Sequence, residues 1–288
     1  EFIMRANPDS TIWISDPTWA NHKPLIGSAG LKFNSYPYYN YETHSVDFDG
    51  MMATLANVPR GDLVLLHGCC HNPSGADLTP SQWQSLCKLA LKQNFTIFID
   101  LAYQGMGDGI EEDVLGVRLL AASLPELIVV RSCSKNFGLY RERTGAITLI
   151  CESNKATSAA STLLAAAARA NYSMPPDHGA AIVELITEDP TLNQMWQEEL
   201  KRVRDRINEL RFIFSESLRK AGVQKDFSFI QSEKGMFSFL GVNRNQIQEL
   251  INKYAIYLVD SSRINVASIN KQNIDYVTNS VAEVISNR

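Results

Sequence analysis

A short segment in the middle of the chain brings together side chains that could bind and activate a phosphorylated aldehyde. Ser132, Ser134 and Lys135 directly follow the apolar run 127–130, and Arg143 lies a little further on. A lysine amine can form a Schiff base with an aldehyde, while hydroxyls and a guanidinium can bind phosphate. A basic, solvated surface loop would have the same composition, because Ser and Lys are common in turns. The segment alone leaves both interpretations open.

A second polar cluster follows the apolar run 96–99. Asp100 ends that run, and Tyr103 comes shortly after it. The aspartate could cap a following helix, or it could pair with a protonated ring nitrogen of a cofactor. Tyr103 could donate a hydrogen bond to a ring oxygen, or it could be an ordinary, partly buried aromatic residue.

A third polar cluster, residues 67–75, follows the apolar run 63–66. Its histidines and cysteines suggest zinc, but adjacent cysteines cannot readily chelate one tetrahedral ion, and no second cysteine pair lies nearby. We therefore predict no metal site. We predict instead that residues 72–75 form a tight turn that presents the amide of Asn72 to a ligand.

Two arginines are candidates for binding anions. Arg263 precedes an apolar run, so it could bind a carboxylate with its planar fork or form a surface salt bridge. Arg169 follows an alanine-rich helical segment, where the default role of an arginine is to interact with the helix dipole.

The elements that must position these residues follow from the hydrophobic pattern. Short runs rich in Val, Ile and Leu alternate with helical segments, among them the predicted helix Pro80–Gln93. This alternation predicts an α/β fold whose sheet is at least partly parallel. Ligands bind such sheets beyond the carboxyl ends of the strands. All three polar clusters begin where a predicted strand ends, which favours one common site.

The second half of the chain has a different pattern. Between residues 192 and 218 an apolar residue recurs every three or four positions, which predicts one long amphipathic helix before Gly222. Beyond it we predict strands at 227–230, 236–240, 256–259 and 263–266, with a helix at 246–254 and another at the end. The predicted domains are therefore 1–195, which is large, and 196–288, a smaller α+β unit entered through the long helix.

Composition excludes several classes of partner. The 288 residues have a formal net charge of −4 and no basic run, which argues against nucleic acid. No apolar stretch is long enough to cross a membrane. The five cysteines form no regular framework, which favours a reducing, cytoplasmic location.

Five segments together resemble the class I aspartate and aromatic amino-acid aminotransferases. They are 16–22, 67–75, 100–105, 132–140 and 262–267, and their order and spacing match over the whole chain. The resemblance implies a fold-type I enzyme that depends on pyridoxal 5′-phosphate. It also implies a mostly parallel large domain, a smaller α+β C-terminal domain, and a homodimer whose active site is shared between subunits.

The resemblance also implies roles for the candidate residues. Lys135 would hold the cofactor as a Schiff base and then shuttle the proton of the reaction. The remaining cofactor-binding residues would be Asp100 at the pyridine nitrogen with His22 behind it, Tyr103 and Asn72 at the ring oxygen, Ser132, Ser134 and Arg143 at the phosphate, and Trp19 stacked on the ring.

Substrate binding would fall to a second group of residues. Arg263 would bind the α-carboxylate with help from Asn72, and Trp19 would line the pocket. Arg169 matches the arginine that reaches across the dimer to the distal carboxylate of a dicarboxylic substrate. Arg169 therefore favours dicarboxylates, whereas residues 76–79 and 106–107 look more like the aromatic enzymes.

The expected reaction moves the amino group of aspartate or aromatic amino acids (Tyr, Phe, Trp) to 2-oxoglutarate, which gives glutamate and a 2-oxo acid. A strict aspartate aminotransferase is the alternative. The family's N-terminal part, which supplies a phosphate-binding loop and a segment that closes over substrate, has no counterpart in this sequence. We therefore expect weak or no activity from this chain alone. A non-catalytic role, as a dimerisation or binding module, is the alternative of another class.

Overall fold

The computed structural model describes residues 1–286 and contains ten strands. They are β1 (Thr11–Asp16), β2 (Lys32–Pro37), β3 (Tyr39–Asn40), β4 (Ser45–Val46), β5 (Leu63–His67), β6 (Thr96–Leu101), β7 (Leu127–Ser132), β8 (Gly145–Ile150), β9 (Phe237–Phe239) and β10 (Arg263–Asn265). The helices are α1 (Phe2–Ala6), α2 (His22–Ser28), α3 (Phe48–Leu55), α4 (Pro80–Gln93), α5 (Leu115–Ser123), α6 (Asn154–Tyr172), α7 (His178–Glu188), α8 (Pro190–Lys220), α9 (Phe229–Ser232), α10 (Arg244–Tyr254) and α11 (Ile274–Ser286).

Six strands form the central sheet, in the order β2-β1-β5-β6-β7-β8. All neighbours are parallel except β7 and β8. The middle strand β5 is buried along its whole length, as expected for a parallel strand covered on both faces. The predicted α/β class with a mostly parallel sheet is confirmed.

The register of the sheet brings the three polar clusters to one edge. His67 at the end of β5 pairs with Asp100 of β6, and Asp100 pairs with Val130 of β7. Because these strands run in the same direction, the residues that follow each of them emerge side by side. The common site predicted from the three strand ends therefore has its structural basis in this register.

Helix α4 shows why local sequence predicts some elements well. Thr79 and Gln82 form a capping box, Pro80 occupies the first turn, and Asn94 ends the helix in the left-handed conformation. These start and stop signals all lie within the segment, so the predicted bounds Pro80–Gln93 match the structure.

The long helix α8 contributes to two separate apolar clusters. Leu200 and Ile207 pack into the core around the central sheet, whereas Leu210, Phe214 and Leu218 pack into a second core with α10 and α11. The predicted single helix is confirmed, and Gly222, which follows it, adopts a φ of +80°. The proposed domain boundary at residue 195 stays a prediction.

Two predicted strands of the small unit are wrong. Asp226 accepts hydrogen bonds from the backbone and hydroxyl of Ser228, and this turn leads into α9 where a strand at 227–230 was expected. At 256–259, Ala255 ends α10 in the left-handed conformation, and the Ile256 N–H bonds back to Leu250. That amide is thereby used by the helix end, and residues 256–259 extend without joining a sheet.

Other differences concern segments whose apolar pattern is weak. The edge strand β2 was not predicted, because four of its six residues are exposed and it lacks an apolar run. Arg169 lies inside the last turn of α6, where a position after the helix was expected. Within residues 1–286, no helix is both long and apolar enough to cross a membrane.

Candidate active site

A cleft of about 530 Å³ opens at the carboxyl ends of β5, β6 and β7. Its walls come from these strand ends, from the connection between β1 and α2, and from the loop before β8. Nine of the residues predicted for the site line it: Trp19, His22, Asn72, Asp100, Tyr103, Ser132, Ser134, Lys135 and Arg143.

At one side of the cleft, Asp100 is held by a histidine. Nε2 of His22 lies 3.1 Å from Oδ2 of Asp100, and Nδ1 of His22 lies 2.7 Å from Oγ1 of Thr18. With the Thr18 hydroxyl donating to Nδ1, Nε2 carries the hydrogen and donates it to the carboxylate. The edge of the half-exposed Trp19 packs against the His22 ring, with 5.3 Å between centroids.

The hydrogen bond from His22 sets the charge of Asp100. Burial alone would raise the pKa of Asp100, but the hydrogen bond from His22, together with smaller electrostatic contributions of His67, His22 and Lys135, outweighs it. The pKa therefore lies below its ordinary value, and Asp100 stays ionised at neutral pH.

Lys135 and Tyr103 face each other in the middle of the cleft. Nζ of Lys135 lies 4.7 Å from the centroid of the Tyr103 ring. Burial lowers the pKa of Lys135; the charge of Asp100 opposes this shift and that of Arg143 adds to it. Burial, with the charge of Asp100, raises the pKa of Tyr103 to about 12. The phenol therefore remains a hydrogen-bond donor, and the amine gives up its proton more easily than a solvated lysine.

The other side of the cleft offers donors for an anion. Oγ of Ser132 donates to Oγ of Ser134 at 3.0 Å and accepts the backbone N–H of Ser134 at 3.1 Å. The exposed Arg143 donates one N–H to the Tyr140 carbonyl at 3.0 Å and presents its charge to the cleft. Hydroxyls next to a guanidinium suit a phosphate group.

A tight turn after β5 holds Asn72. The Gly75 N–H bonds to the His71 carbonyl at 2.7 Å, and the Asn72–Pro73 peptide is cis. Gly75 has a φ of +76°, and a Cβ there would lie 2.5 Å from the Phe237 carbonyl oxygen. The small unit therefore packs so closely against this turn that only glycine fits. The predicted turn is present, and Asn72 is buried in the cleft wall.

Arg263 reaches the site from a distant part of the chain. It begins β10, which pairs with β9, and it donates to Oδ1 of Asn72 at 3.2 Å. Its guanidinium lies over the Phe237 ring, with 4.5 Å to the centroid. The structure thus joins Arg263 to the cleft wall through Asn72, at a sequence separation of 191 residues.

Arg169 is the one predicted site residue that the structure leaves apart. It is exposed in the last turn of α6, and it is not among the described residues that line the cleft of its own chain.

A column of buried histidines behind the cleft was not predicted as a unit. The ring centroids of His22 and His67 are 5.2 Å apart, and those of His67 and His71 are 4.3 Å apart. His71 stacks on Tyr38, and its two ring nitrogens contact Oγ of Ser15 at 3.1 Å and Oγ of Ser74 at 2.8 Å. The sequence feature that could have predicted this column is the spacing of His67, at the end of β5, and His71, four residues later.

Burial keeps the two inner histidines neutral. It lowers the pKa of His71 to about 3 and that of His67 well below its ordinary value. His71 therefore acts as a fixed hydrogen-bonding link between β1 and the Asn72 turn over the whole range of physiological pH.

The fold and this cleft define an aminotransferase. The family model for aminotransferase class I and II matches residues 1–281, and the chain belongs to that family. The resemblance seen in the sequence is thereby confirmed.

Two similar relatives are an aspartate aminotransferase and an aromatic-amino-acid aminotransferase. The chain is 44% identical over 285 residues to an aspartate aminotransferase of Haemophilus influenzae, a match that covers 99% of this chain and 72% of the relative. It is 43% identical over 284 residues to an aromatic-amino-acid aminotransferase of Paracoccus denitrificans, again covering 99% and 72%.

A solved structure is similar over nearly the whole chain. The aromatic-amino-acid aminotransferase from Burkholderia pseudomallei, covalently bound to pyridoxal phosphate, superimposes with a TM-score of 0.96 at 42% identity. The match covers 99% of this chain and 71% of the other. The chain therefore spans somewhat under three quarters of the length of these relatives.

Proposed function

We propose that this aminotransferase uses pyridoxal 5′-phosphate to move the amino group of aspartate and aromatic amino acids to 2-oxoglutarate. The observation that carries the proposal is the placement of Lys135 and the His22-bound Asp100 at neighbouring strand ends, within one cleft. Relatives with aspartate and with aromatic specificity match about equally well, which supports the dual substrate class over strict aspartate specificity.

The donor groups of the cleft fit the cofactor's chemistry. The ring nitrogen needs an ionised partner, the phosphate needs hydroxyls and a cation, and the aldehyde needs an amine. Asp100 offers the first, Ser132, Ser134 and Arg143 offer the second, and Lys135 offers the third. A volume of about 530 Å³ accommodates a small ring compound together with an amino acid.

Bound pyridoxal phosphate supplies a ring that withdraws electrons from the substrate Cα. Asp100, which the His22 hydrogen bond keeps ionised, would favour a proton on the ring nitrogen. Tyr103 and Asn72 would donate to the ring oxygen, and Trp19 would cover one face of the ring.

Lys135 has two tasks. Its Nζ would hold the cofactor through the aldehyde group, and the free amine would take a proton from the substrate Cα. The lowered pKa of the Lys135 amine suits both tasks, because only the neutral amine can bond to carbon or accept a proton.

Arg263 and Asn72 orient the substrate. The guanidinium binds the α-carboxylate in a two-pronged manner, while Phe237 beneath it keeps water from one face. The existing hydrogen bond between Arg263 and Asn72 fixes the direction of the fork before substrate binds.

The distal carboxylate of aspartate or 2-oxoglutarate requires a second cation. Arg169 is exposed and lies away from its own cleft, so we assign it to the cleft of a second subunit in a homodimer. The proposal includes the domain division at residue 195. It also includes a cytoplasmic location, which is supported by the five cysteines, all of them free.

The visible absorption spectrum tests this function. Purified protein mixed with pyridoxal phosphate should develop a band of lysine-bound cofactor, which aspartate or phenylalanine should replace with a band at shorter wavelength. The more effective donor ranks the two substrate classes. The Lys135→Ala variant is the control and should never show the first band. If the wild type also lacks it, the chain does not bind the cofactor, and the non-catalytic dimerisation or binding module gains support.

A further inference from the structure

His67 is a buried histidine whose two ring nitrogens have no hydrogen-bond partner among the described residues. It is 7% exposed, and neither Nδ1 nor Nε2 has a hydrogen bond to any part of residues 1–286. Buried polar atoms in proteins are nearly always paired, because an unpaired one has lost its water without compensation. His71, directly against it, has both ring nitrogens paired, so of these two neighbouring histidines only His67 is unsatisfied.

The unpaired ring points toward two other groups that can bind a cation. One ligand atom each from His22, His67 and Asp100 lies within 4.8 Å of the other two. One of these contacts, between Nε2 of His22 and Oδ2 of Asp100, is 3.1 Å. Thr18 contacts the other nitrogen of His22 at 2.7 Å, which orients the ring in the way that outer partners orient metal-binding histidines.

We propose that the cofactor-free protein binds one divalent cation of the zinc class between His22, His67 and Asp100. Two imidazole nitrogens and one carboxylate oxygen are typical zinc ligands, and the side toward the cleft leaves the fourth position for water. The cation takes the place of the hydrogen on Nε2 of His22. The ring takes up a proton at Nδ1 in exchange, so it binds as a neutral imidazole whose Nδ1–H donates to the Thr18 hydroxyl. Metal–ligand bonds of about 2.0–2.1 Å in a tetrahedron place ligand atoms about 3.3 Å apart. The His22–Asp100 pair is already near that spacing, and His67 moves toward the other two on binding.

The cation is not part of transamination. It occupies the carboxylate of Asp100 that the proposed function assigns to the ring nitrogen of pyridoxal phosphate. On that basis the cation and the cofactor exclude each other, and zinc-class ions slow the loading of the cofactor-free protein.

A second cluster with metal-binding residue types is the main competitor. Ligand atoms of Cys69, Cys70 and Asp113 also lie within 4.8 Å of one another. The Asp113 carboxylate, however, already accepts the backbone N–H groups of residues 105, 107, 108 and 109. Its oxygens are therefore occupied, whereas the His67 nitrogens are not.

Titration of the cofactor-free protein with Zn²⁺, followed by calorimetry, tests the site, and Co²⁺ serves as the spectroscopic probe. We expect one ion per chain and a tetrahedral Co²⁺ spectrum without a thiolate charge-transfer band. Loss of an outer partner of a metal ligand alone weakens binding by about 10–100-fold, so His67→Gln should weaken it by at least about 100-fold. Two control variants should bind as the wild type does: His178→Gln, an exposed histidine beside Glu142, and Cys69→Ser.

The proposal is overturned by three results: no stoichiometric binding, unchanged binding by His67→Gln, or loss of binding in Cys69→Ser. Circular dichroism checks that His67→Gln is folded. If it is not, Asp100→Asn is used in its place, and unchanged Zn²⁺ affinity of that variant also overturns the proposal. Competition is read separately. A protein that shows the lysine-bound cofactor band and still binds Zn²⁺ with unchanged affinity contradicts the shared site. If the lysine-bound cofactor band never forms, the proposed function is contradicted. The metal site is then tested by the direct Zn²⁺ titration alone.

Discussion

Two clusters of charged side chains, one buried and one partly buried, use their polar atoms in opposite ways. In the small unit, Arg211 is 1% exposed and donates to the carbonyls of residues 230, 234, 235 and 237 and to the Ser238 hydroxyl. Glu233, whose carboxylate lies 3.8 Å from that guanidinium, also accepts from Tyr39 at 3.0 Å and from Ser238. In the cleft, by contrast, Lys135 Nζ makes no hydrogen bond to the described residues, and Asp100 is held through one oxygen only.

The difference separates a structural cluster from a functional one. Burying a charge is unfavourable in both places. Around Arg211 every donor is satisfied within the chain, so the cluster fixes one backbone arrangement and has nothing left for a ligand. Around Asp100, the second carboxylate oxygen and the Lys135 amine have no hydrogen bond within residues 1–286 and are free to bind a ligand. Substitutions in the cleft should therefore reduce catalysis, and substitutions at Arg211 should reduce stability.

The largest effect is expected for Lys135→Ala. Without the amine, the proton transfer at Cα should slow by about 10⁴-fold. The free energy of unfolding should change by less than about 0.5 kcal/mol, because Lys135 has no hydrogen bond to lose. Stopped-flow absorbance with aspartate measures the rate, and Lys155→Ala, an exposed lysine, is the control. Residual activity near that of the wild type would remove Lys135 from the mechanism.

Asp100→Asn should slow the reaction by about 10³-fold, because a neutral amide no longer favours a proton on the ring nitrogen. The pKa of Asp100 is lowered in the folded protein, so its contribution to stability is present at neutral pH and is lost as pH falls through the acid range. The Asp100→Asn variant should not show this loss of stability at acid pH. Turnover and pH-dependent unfolding measure the two effects, with the exposed Asp9→Asn for comparison. A fully active variant would show that the His22–Asp100 pair is merely structural.

Arg211→Met should lower the free energy of unfolding by about 3–5 kcal/mol, since it leaves Glu233 buried without its cation. Activity per folded molecule should stay close to that of the wild type. Urea unfolding measures the loss, and the exposed Arg202→Met is the matched control. A stable but inactive variant would reverse the distinction between the two clusters.

Arg263→Lys should raise KM for aspartate by about 30-fold and change kcat much less, because a lysine cannot make the two parallel hydrogen bonds of a guanidinium. Steady-state kinetics separate the two parameters. The exposed Arg244→Lys should leave both unchanged. An effect confined to kcat would place Arg263 at the reacting atoms instead of the substrate carboxylate.

The smallest effect concerns Asp77, a half-buried carboxylate with no ion-pair partner among the described residues. Burial raises its pKa from 3.8 to about 6, although the backbone N–H groups of His71 and Cys70 oppose the shift. A raised pKa in the folded state means that stability is greatest below the unfolded value and is lost as pH rises toward 6. From this group we expect a loss of about 2 kcal/mol between pH 4 and 6.

Asp77→Asn should lack that loss, although it should be less stable overall because the amide replaces one hydrogen-bond acceptor. Unfolding in urea at several pH values gives the slope for both proteins. Equal slopes would mean that Asp77 titrates normally and that its two backbone hydrogen bonds outweigh its burial.

Much of the fold follows from local patterns. The apolar runs of β5, β6 and β7 and the periodicity of α8 predicted these elements, since each run lies within one element. The strand ends also predicted a common site, because parallel strands present their carboxyl ends together. Other segments were not predicted correctly: β2 lacks an apolar run, and residues 227–230 and 256–259 are shaped by local hydrogen bonds that no periodicity reports.

The sequence by itself determined the residue types, the strand order along the chain and, through its motifs, the family. Only the tertiary structure decided that His22 meets Asp100 at 3.1 Å, that Arg263 meets Asn72 at 3.2 Å, and that His67 is enclosed without a partner. The physical reason is that burial and pairing belong to no single segment: they depend on which distant surfaces pack together, and those contacts set the charges on which the chemistry rests.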